Sequence, residues 1–410
     1  MVACSGGLDS RVLLDLACRS GVPVHVIHVH HGLQLEADEW ADQVAALANH
    51  LAVSCEILRV AVNAADGGIE AAARKARYAA LRQALRAGDC LVTGHHADDQ
   101  VETLLLRLLR GTGPSGLAGI RYCKPFGPGY LLRPLLSQPY SALRRYAEAQ
   151  RLEWIEDPSN QSLAHERNFL RHRVLVSLQE RWPALHRAVG RLARLSDENN
   201  QVLHALLSER LERHYLPGTH LLRVHQLAGE SVAMRHALLR QWITEFAWRP
   251  PGEQQLRQGL DELLTARADR HPALRWQDGM IIRFNGLLFR LPSELPTCPG
   301  PCRINRGQRV AWGDLGDVFW PEEALPEQPN TLGLRGFQPG DHLHEANRPR
   351  QKIKELLRKA GVPPWWRACL PVAVAGDAAP VAVAGVAPME SLEFTPVSDS
   401  NRADWRYWHV

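Results

Sequence analysis

Ser5-Gly6-Gly7-Leu8-Asp9-Ser10 lies between a short apolar run, Val2–Cys4, and a segment of helical period that opens at Leu8. The order strand, glycine turn, helix carries chemistry. Paired glycines let backbone N–H groups face an anion without Cβ obstruction, and the following helix adds unpaired N–H donors at its positive dipole end. Phosphate is the natural ligand. Ser5 and Ser10 add hydroxyl donors, while Asp9 suits either a helix cap or a metal held at the phosphates. A Walker loop would end in Gly-Lys-Ser/Thr, and Leu8-Asp9-Ser10 does not. The plain alternative is a glycine turn with a serine cap.

Outward from this loop, short Val- and Ile-rich runs alternate with longer helical segments. Candidate strands are Val2–Cys4, Val24–Val29, Cys55–Val62 and Cys90–Thr93, and helices begin near Leu8, Glu36, Ile69 and Asp98. This rhythm predicts an α/β domain with an open parallel, Rossmann-like sheet over residues 1–200. Only Met1 to Cys4 precede the glycine turn, short of the about five to six residues of an ordinary strand, so the true start is expected upstream. An arginine-rich helical stretch, 144–213, follows, interrupted by Asp157-Pro158-Ser159-Asn160. Residues 201–295 read as mainly helical, closed by strand-like Gly279–Phe284 and Leu287–Leu291. Proline-rich stretches then introduce a small α+β unit, 296–410, with a basic helix at Gln351–Ala360 and strands at Val372–Val374 and Val381–Val386.

A chain of 410 residues exceeds what one core usually supports, so two or three domains are expected. It is 45% hydrophobic and 22% charged, with no apolar run of membrane-spanning length and no secretory leader, which predicts a cytoplasmic protein without a membrane partner. The eight cysteines are scattered, and Cys298 and Cys302 lack a second Cys or His pair to complete a zinc site. A net charge of +4 identifies no partner, but three of the five lysines, Lys352, Lys354 and Lys359, fall in one segment. From Arg335 to Arg367, eight cations face only Asp341, Glu345 and Glu355, a net +5. Either a solvated helix or a phosphate-binding surface fits that pattern. Trp365 and Trp366 suit base stacking or, more commonly, a core.

The second constellation, Thr93-Gly94-His95-His96-Ala97-Asp98-Asp99-Gln100-Val101-Glu102, ends a candidate strand at the sheet edge where ligands bind. Asp98, Asp99 and Glu102 share one helical face by their i, i+3 and i, i+4 spacing, as needed to hold Mg²⁺ or act as a base. Acidic residues at a helix N-terminus are the bland alternative. His30-His31-Gly32 ends the second strand on the same edge, suiting either adenosine contact or a structural role.

Five motifs occur in order: the glycine loop, His30-His31-Gly32-Leu33, Glu70-Ala71-Ala72-Ala73-Arg74-Lys75-Ala76-Arg77-Tyr78, Gly94–Gln100 and Arg110-Gly111-Thr112-Gly113. Together they resemble the tRNA(Ile)-lysidine synthetase family, within the pyrophosphatase-loop enzymes of adenine nucleotide alpha hydrolase-like fold. The likeness continues through Asp157–Asn160 and Arg167-Asn168-Phe169-Leu170-Arg171. It returns at Lys352-Ile353-Lys354-Glu355-Leu356-Leu357 and Val362-Pro363-Pro364-Trp365-Trp366-Arg367, while the middle segment matches only in helical pattern.

The resemblance implies ATP-dependent attachment of L-lysine to C2 of the wobble cytidine in the CAU anticodon of tRNA(Ile), through an adenylated cytidine. ATP with Mg²⁺ would rest on Ser5, Gly6, Gly7, Leu8, Asp9, Ser10, His30 and Gly94, with Asp9 and Asp99 as metal ligands. Asp99, Glu102 or His95 would take the amine or its proton, a choice left open. Arg167, Arg171, Lys352, Lys354, Arg358 and Lys359 would contact the tRNA, with 201–295 and 296–410 as tRNA-binding units and a homodimer admitted. The rivals are a tRNA thiolase, disfavoured by the lack of C-x-x-C in the first domain, and a non-catalytic RNA-binding protein.

Overall fold

A computed structural model describes the chain except residues 63–67, 159–161, 164, 247, 268–269, 296, 326–327, 344–348, 377–378, 387–391 and 397–410, and the side chains of Glu70 and Pro396. Ser159, Asn160, Glu345 and Arg348 of the motifs above therefore lie outside the described residues. The chain divides into two compact units, Met1–Leu203 and His204–Val410.

The first unit alternates strand and helix: β1 Val2–Ala3, α1 Leu8–Arg19, β2 His25–His30, α2 Ala37–His50, β3 Ser54–Arg59, α3 Ile69–Ala84, β4 Cys90–Val92 and α4 Ala97–Leu109. A hairpin of β5 Cys123–Phe126 and β6 Gly129–Leu132 follows, then α5 Tyr140–Ala149. The sheet order is β3-β2-β1-β4-β6-β5, parallel except where β5 pairs with β6. The inner strands carry the buried apolar residues Val2, Val26, Ile27, Leu91 and Leu131, which is why they read as apolar, whereas the edge strand β3 has none buried. One face carries Leu8, Val12 and Leu13 of α1, Val44 and Ala48 of α2 and Leu143 and Ala147 of α5, while the other packs Ile27, Leu91 and Leu131 beneath Leu81 of α3. Each fully buried Val, Leu or Ile side chain among these contributes about 1.5–3 kcal/mol.

Strand order reverses between β1 and β4. From β1 the chain moves to β2 and β3 on one side, then returns to place β4 on the other. A crevice opens at the carboxyl ends of such strands. The Ser5–Ser10 loop leaves β1 there, and Gly94–Asp99 leaves β4.

Beyond α5 come α6 Glu166–Phe169, a π-helical turn at Leu170–Val174, α7 Leu175–Arg181 and α8 Leu185–Glu212. Val101 and Leu104 of α4 pack against Leu175 and Val189 of this helical run.

In the second unit, α9 Val224–Ala228, α10 Val232–Thr244 and α11 Glu253–Thr265 cover a four-stranded antiparallel sheet. The two strands expected at Gly279–Phe284 and Leu287–Leu291 form its centre, and Leu222–Arg223 and Ala273–Arg275 extend it. Alternate residues face opposite ways: Ile281 and Leu288 join the helices, whereas Met280, Ile282 and Phe289 join Ile304 and Leu334 of the C-terminal strands and Trp366 of the short helix Pro364–Arg367. One core thus crosses the expected boundary at 295–296. Trp366 is buried within it, and Trp365 stands edge-on to Phe284 and Phe289 at 5.7 and 5.1 Å, so the pair fills a core instead of presenting base-stacking faces.

Candidate active site

The glycine loop is held from below and left open above. Gly6 takes φ +87°, which favours glycine, and a Cβ there would come within 2.3 Å of Ile155 Cδ1. The backbone of Ile155 donates to Gly6 O at 3.0 Å, fixing the turn. Ser10 Oγ accepts from Ser5 N at 3.2 Å and donates to Gly7 O at 2.9 Å, so this hydroxyl braces the loop. Gly7 is the N-cap of α1 and supplies no side-chain cap, which leaves the first-turn amides for an outside acceptor.

Gly94 closes the crevice. A Cβ on it would lie 2.9 Å from the backbone of Asp9, so only glycine lets the β4–α4 turn meet the first turn of α1. That approach brings His96 Nε2 to 3.6 Å from Asp9 Oδ2 and 3.6 Å from Asp99 Oδ2. Asp9 Oδ1 is buried with no hydrogen-bond partner.

Across the crevice, Asp99 and Glu102 are buried and fully engaged. Asp99 Oδ2 accepts from His96 N at 3.0 Å, and its Oδ1 from Arg167 Nη2 at 2.7 Å and Arg171 Nη2 at 3.1 Å. Glu102 takes Arg167 Nε on Oε2 and Arg171 Nε on Oε1, both at 2.6 Å. Two carboxylates and two guanidiniums form a charge-balanced quartet. Asp98 turns elsewhere, accepting from Tyr140 N at 2.8 Å and Gln179 Nε2 at 3.0 Å and pairing with His186 at 3.1 Å, so it does not join Asp99 and Glu102.

The two neighbouring histidines differ in charge. Burial, aided by Arg133, Arg74 and Arg167 against the pull of Asp99, depresses His95 to about 3, so its imidazole is neutral. Burial would depress His96 too, but the carboxylates of Asp9 and Asp98, at 3.6 and 3.5 Å, and of Asp99, at 3.6 Å, raise it to about 10. Burial opposes ionisation of Asp99, yet His96 and Arg167 hold it below the usual carboxylate range. For Asp98, burial is likewise outweighed, by His186, His96 and the Tyr140 amide.

Three segments of the chain match known domain models. Residues 1–178 match the model of the PP-loop domain, 222–289 that of the TilS substrate binding domain and 332–405 that of the TilS substrate C-terminal domain. The tRNA(Ile)-lysidine synthase of Alkalilimnicola ehrlichii is 41% identical over 391 residues, covering 92% of this chain and 87% of its own. The chain belongs to the tRNA(Ile)-lysidine synthase family. A Vibrio parahaemolyticus member is 37% identical over 92% of this chain and 89% of its own. Among solved structures, the U34-tRNA thiolase NcsA from Methanococcus maripaludis aligns with 48% of this chain and 70% of its own, at 17% identity and a TM-score of 0.40.

Within this family member, the crevice gathers Ser5–Ser10, Gly94, His95, Asp99 and Glu102, all singled out from sequence. Arg167 and Arg171, read as RNA contacts, pair with Asp99 and Glu102. His30 Nε2 lies 3.2 Å from Asp38 Oδ1, which also holds Arg59 at 2.9 Å, the structural role left open above. In the second unit, Lys352, Lys354, Arg358 and Lys359 are exposed around a short helix, Ile353–Lys359, anchored by buried Ile353 and Leu357. Arg335 is paired with Asp341, at 2.7 and 2.8 Å. Sequence reading missed His96, although its place just before Asp98-Asp99 was the available signal.

Among the described residues, no group of three or more His, Cys, Asp or Glu is placed to hold a metal ion, and no helix is long and apolar enough to cross a membrane.

Proposed function

We propose that the protein ligates L-lysine to C2 of the wobble cytidine of tRNA(Ile) bearing a CAU anticodon, driven by ATP. One observation carries the reading: an uncapped glycine loop with a free Asp9 oxygen faces the buried, arginine-paired Asp99 and Glu102 across Gly94. The cytidine C2 oxygen attacks the α-phosphorus of ATP and pyrophosphate leaves. The lysine amine then attacks C2, gives up a proton, and AMP departs with that oxygen.

Open amides of Gly7, Leu8 and Asp9 would receive the β,γ-phosphates. The orphaned Asp9 Oδ1 fits a divalent cation such as Mg²⁺, which when bound neutralises charge on the departing pyrophosphate. Asp99 fits that role poorly, because both its oxygens already accept hydrogen bonds. Asp99 and Glu102 instead suit an ammonium that replaces one guanidinium. His95, neutral and weakly basic, suits orientation more than proton uptake from an amine of reference pKa about 10.4.

The exposed cations of Ile353–Lys359 would hold the tRNA away from the chemistry, as parts of a protein acting in the cytoplasm. Mass analysis of a CAU-anticodon transcript incubated with protein, ATP, Mg²⁺ and L-lysine tests the proposal. One lysyl group gained at the wobble cytidine is expected. An unaltered mass, or a requirement for sulfide in place of lysine, overturns it.

A further inference from the structure

Beside the acid pair lies a cavity of about 400 Å³ lined by Arg74, Arg107, Arg121, Lys124, Arg133 and Arg167, with His95, and by no Asp or Glu among the described residues. Two of these cations are compensated: Arg167 by Asp99 and Glu102, and Arg121 by Asp197 at 2.8 Å. The other four have no carboxylate partner among the described residues. Arg107 Nη1 donates to the carbonyls of Gly116 and Gly119, both at 2.8 Å. Arg133 Nη1 donates to Arg121 O at 2.6 Å, while its Nε is buried without a partner. Arg74 lies over the Tyr78 ring at 5.0 Å. Burial and the neighbouring Arg133 push the Lys124 ammonium below its ordinary range, and burial with Arg121 does the same to Arg107.

Like charges crowded into one cavity repel unless an anion joins them. No residue of Ser5–Ser10 lines this cavity, so it is distinct from the cradle for the nucleotide phosphates. The carboxylate of one amino acid would leave most of four charges uncompensated, whereas an RNA backbone brings successive phosphates. His95 and Arg167 border both the cavity and the acid pair, which places such a phosphate next to the reacting base.

We propose that this cavity takes the phosphodiester backbone of the RNA substrate beside the target nucleotide. Arg74 and Lys124 bind the phosphates, and Arg107 and Arg133 brace the walls through backbone carbonyls. This assignment rests on the function proposed above as to which RNA is bound, but its test does not depend on lysine transfer.

The test is fluorescence anisotropy of a labelled CAU anticodon stem-loop titrated with the full chain over a range of salt. The wild type is compared with Lys124→Arg and with the double variant Arg74→Ala, Lys124→Ala. The slope of log affinity against log salt falls by about 0.7 for each phosphate that is no longer neutralised, hence by about 1.4 in the double variant, and Lys124→Arg keeps the wild-type slope. Methylphosphonate linkages flanking the target cytidine weaken binding by the wild type but leave the double variant unaffected. Should the double variant not fold, Lys124→Gln alone carries the expectation of a fall of about 0.7. Unchanged slopes in a folded variant overturn the assignment. So does a raised KM for lysine with RNA slopes intact, which would make the cavity a carboxylate site. Lysine transfer by the wild type is measured in parallel: its absence with altered slopes sinks the proposed function and leaves the cavity assignment standing.

Discussion

Glu102→Gln is the sharpest perturbation of the site. Glu102 is 0% exposed and accepts from Arg167 Nε and Arg171 Nε at 2.6 Å and from Arg171 Nη2 at 3.1 Å. Glutamine keeps the shape and one acceptor, but it turns an NH₂ toward a guanidinium and leaves the quartet with one excess positive charge. Removing one partner of a buried ion pair costs about 3–5 kcal/mol. Both arginine side chains remain about one-third exposed, at 32% and 33%, so water screens the orphaned charge and the lower end applies, about 3 kcal/mol. In a unit of this size each kcal/mol shifts Tm by about 2–4 °C, so the variant should melt about 6–12 °C below wild type. Calorimetry measures this directly. A cycle with Arg171→Met sharpens it, because removing the surplus cation should recover part of the loss, with a coupling of about 1–3 kcal/mol. A Tm within about 2 °C of wild type, or strictly additive single effects, would refute the claim that the acid pair is held by these arginines.

Asp9→Asn should lower the melting temperature, since it removes one of the carboxylates facing the His96 imidazolium, and should abolish pyrophosphate release from ATP; retained release would remove Asp9 from the phosphate site. His96, raised from 6.5 to about 10, contributes stability that is complete below about pH 6.5 and vanishes as pH climbs through about 10. The urea-midpoint gap between wild type and His96→Gln should therefore shrink over that window, and a constant gap would deny the imidazolium. Neutralising Lys352, Lys354 and Lys359 should weaken tRNA binding and lower the salt slope by about 0.7–0.9 for each lysine that had paired with a phosphate, whereas unchanged affinity at low salt makes that helix a solvated surface.

What could be read from letters alone was local. The glycine turn between β1 and α1, the βα rhythm and the acidic opening of α4 each depend on residues within a few positions, and all stand in the structure as expected. The four-apart spacing of Arg167 and Arg171 was read correctly as one face, but their partners lie 65 to 72 residues upstream, a pairing with no local signature. His30 likewise finds Asp38 and Arg59 through strand pairing and the following helix. The cationic cavity escaped notice because its arginines are spread over positions 74 to 167 in an arginine-rich chain, and only the α3–α4 and hairpin geometry assembles them. In the second unit, the short strands flanking the central hairpin gave too little periodicity to separate from loop, which is why the segment read as mainly helical.

Two kinds of charge meet at this sheet edge, and the difference decides which can respond to ligands. Asp98 is held by the Tyr140 amide, Gln179 and His186, and the quartet of Asp99, Glu102, Arg167 and Arg171 is balanced inside the fold, so these groups fix the shape of the site. Asp9 Oδ1 and the cluster of Arg74, Arg107, Lys124 and Arg133 are not balanced, so free energy remains for a cation at one place and a polyanion at the other. Arg167 belongs to both systems. A phosphate in the cavity would compete with Asp99 and Glu102 for that guanidinium, loosening the pair where the ammonium proposed above would replace an arginine. Binding free energies linked through a shared group are reciprocal. RNA and amine would then favour each other's binding through one side chain, with no change of fold required.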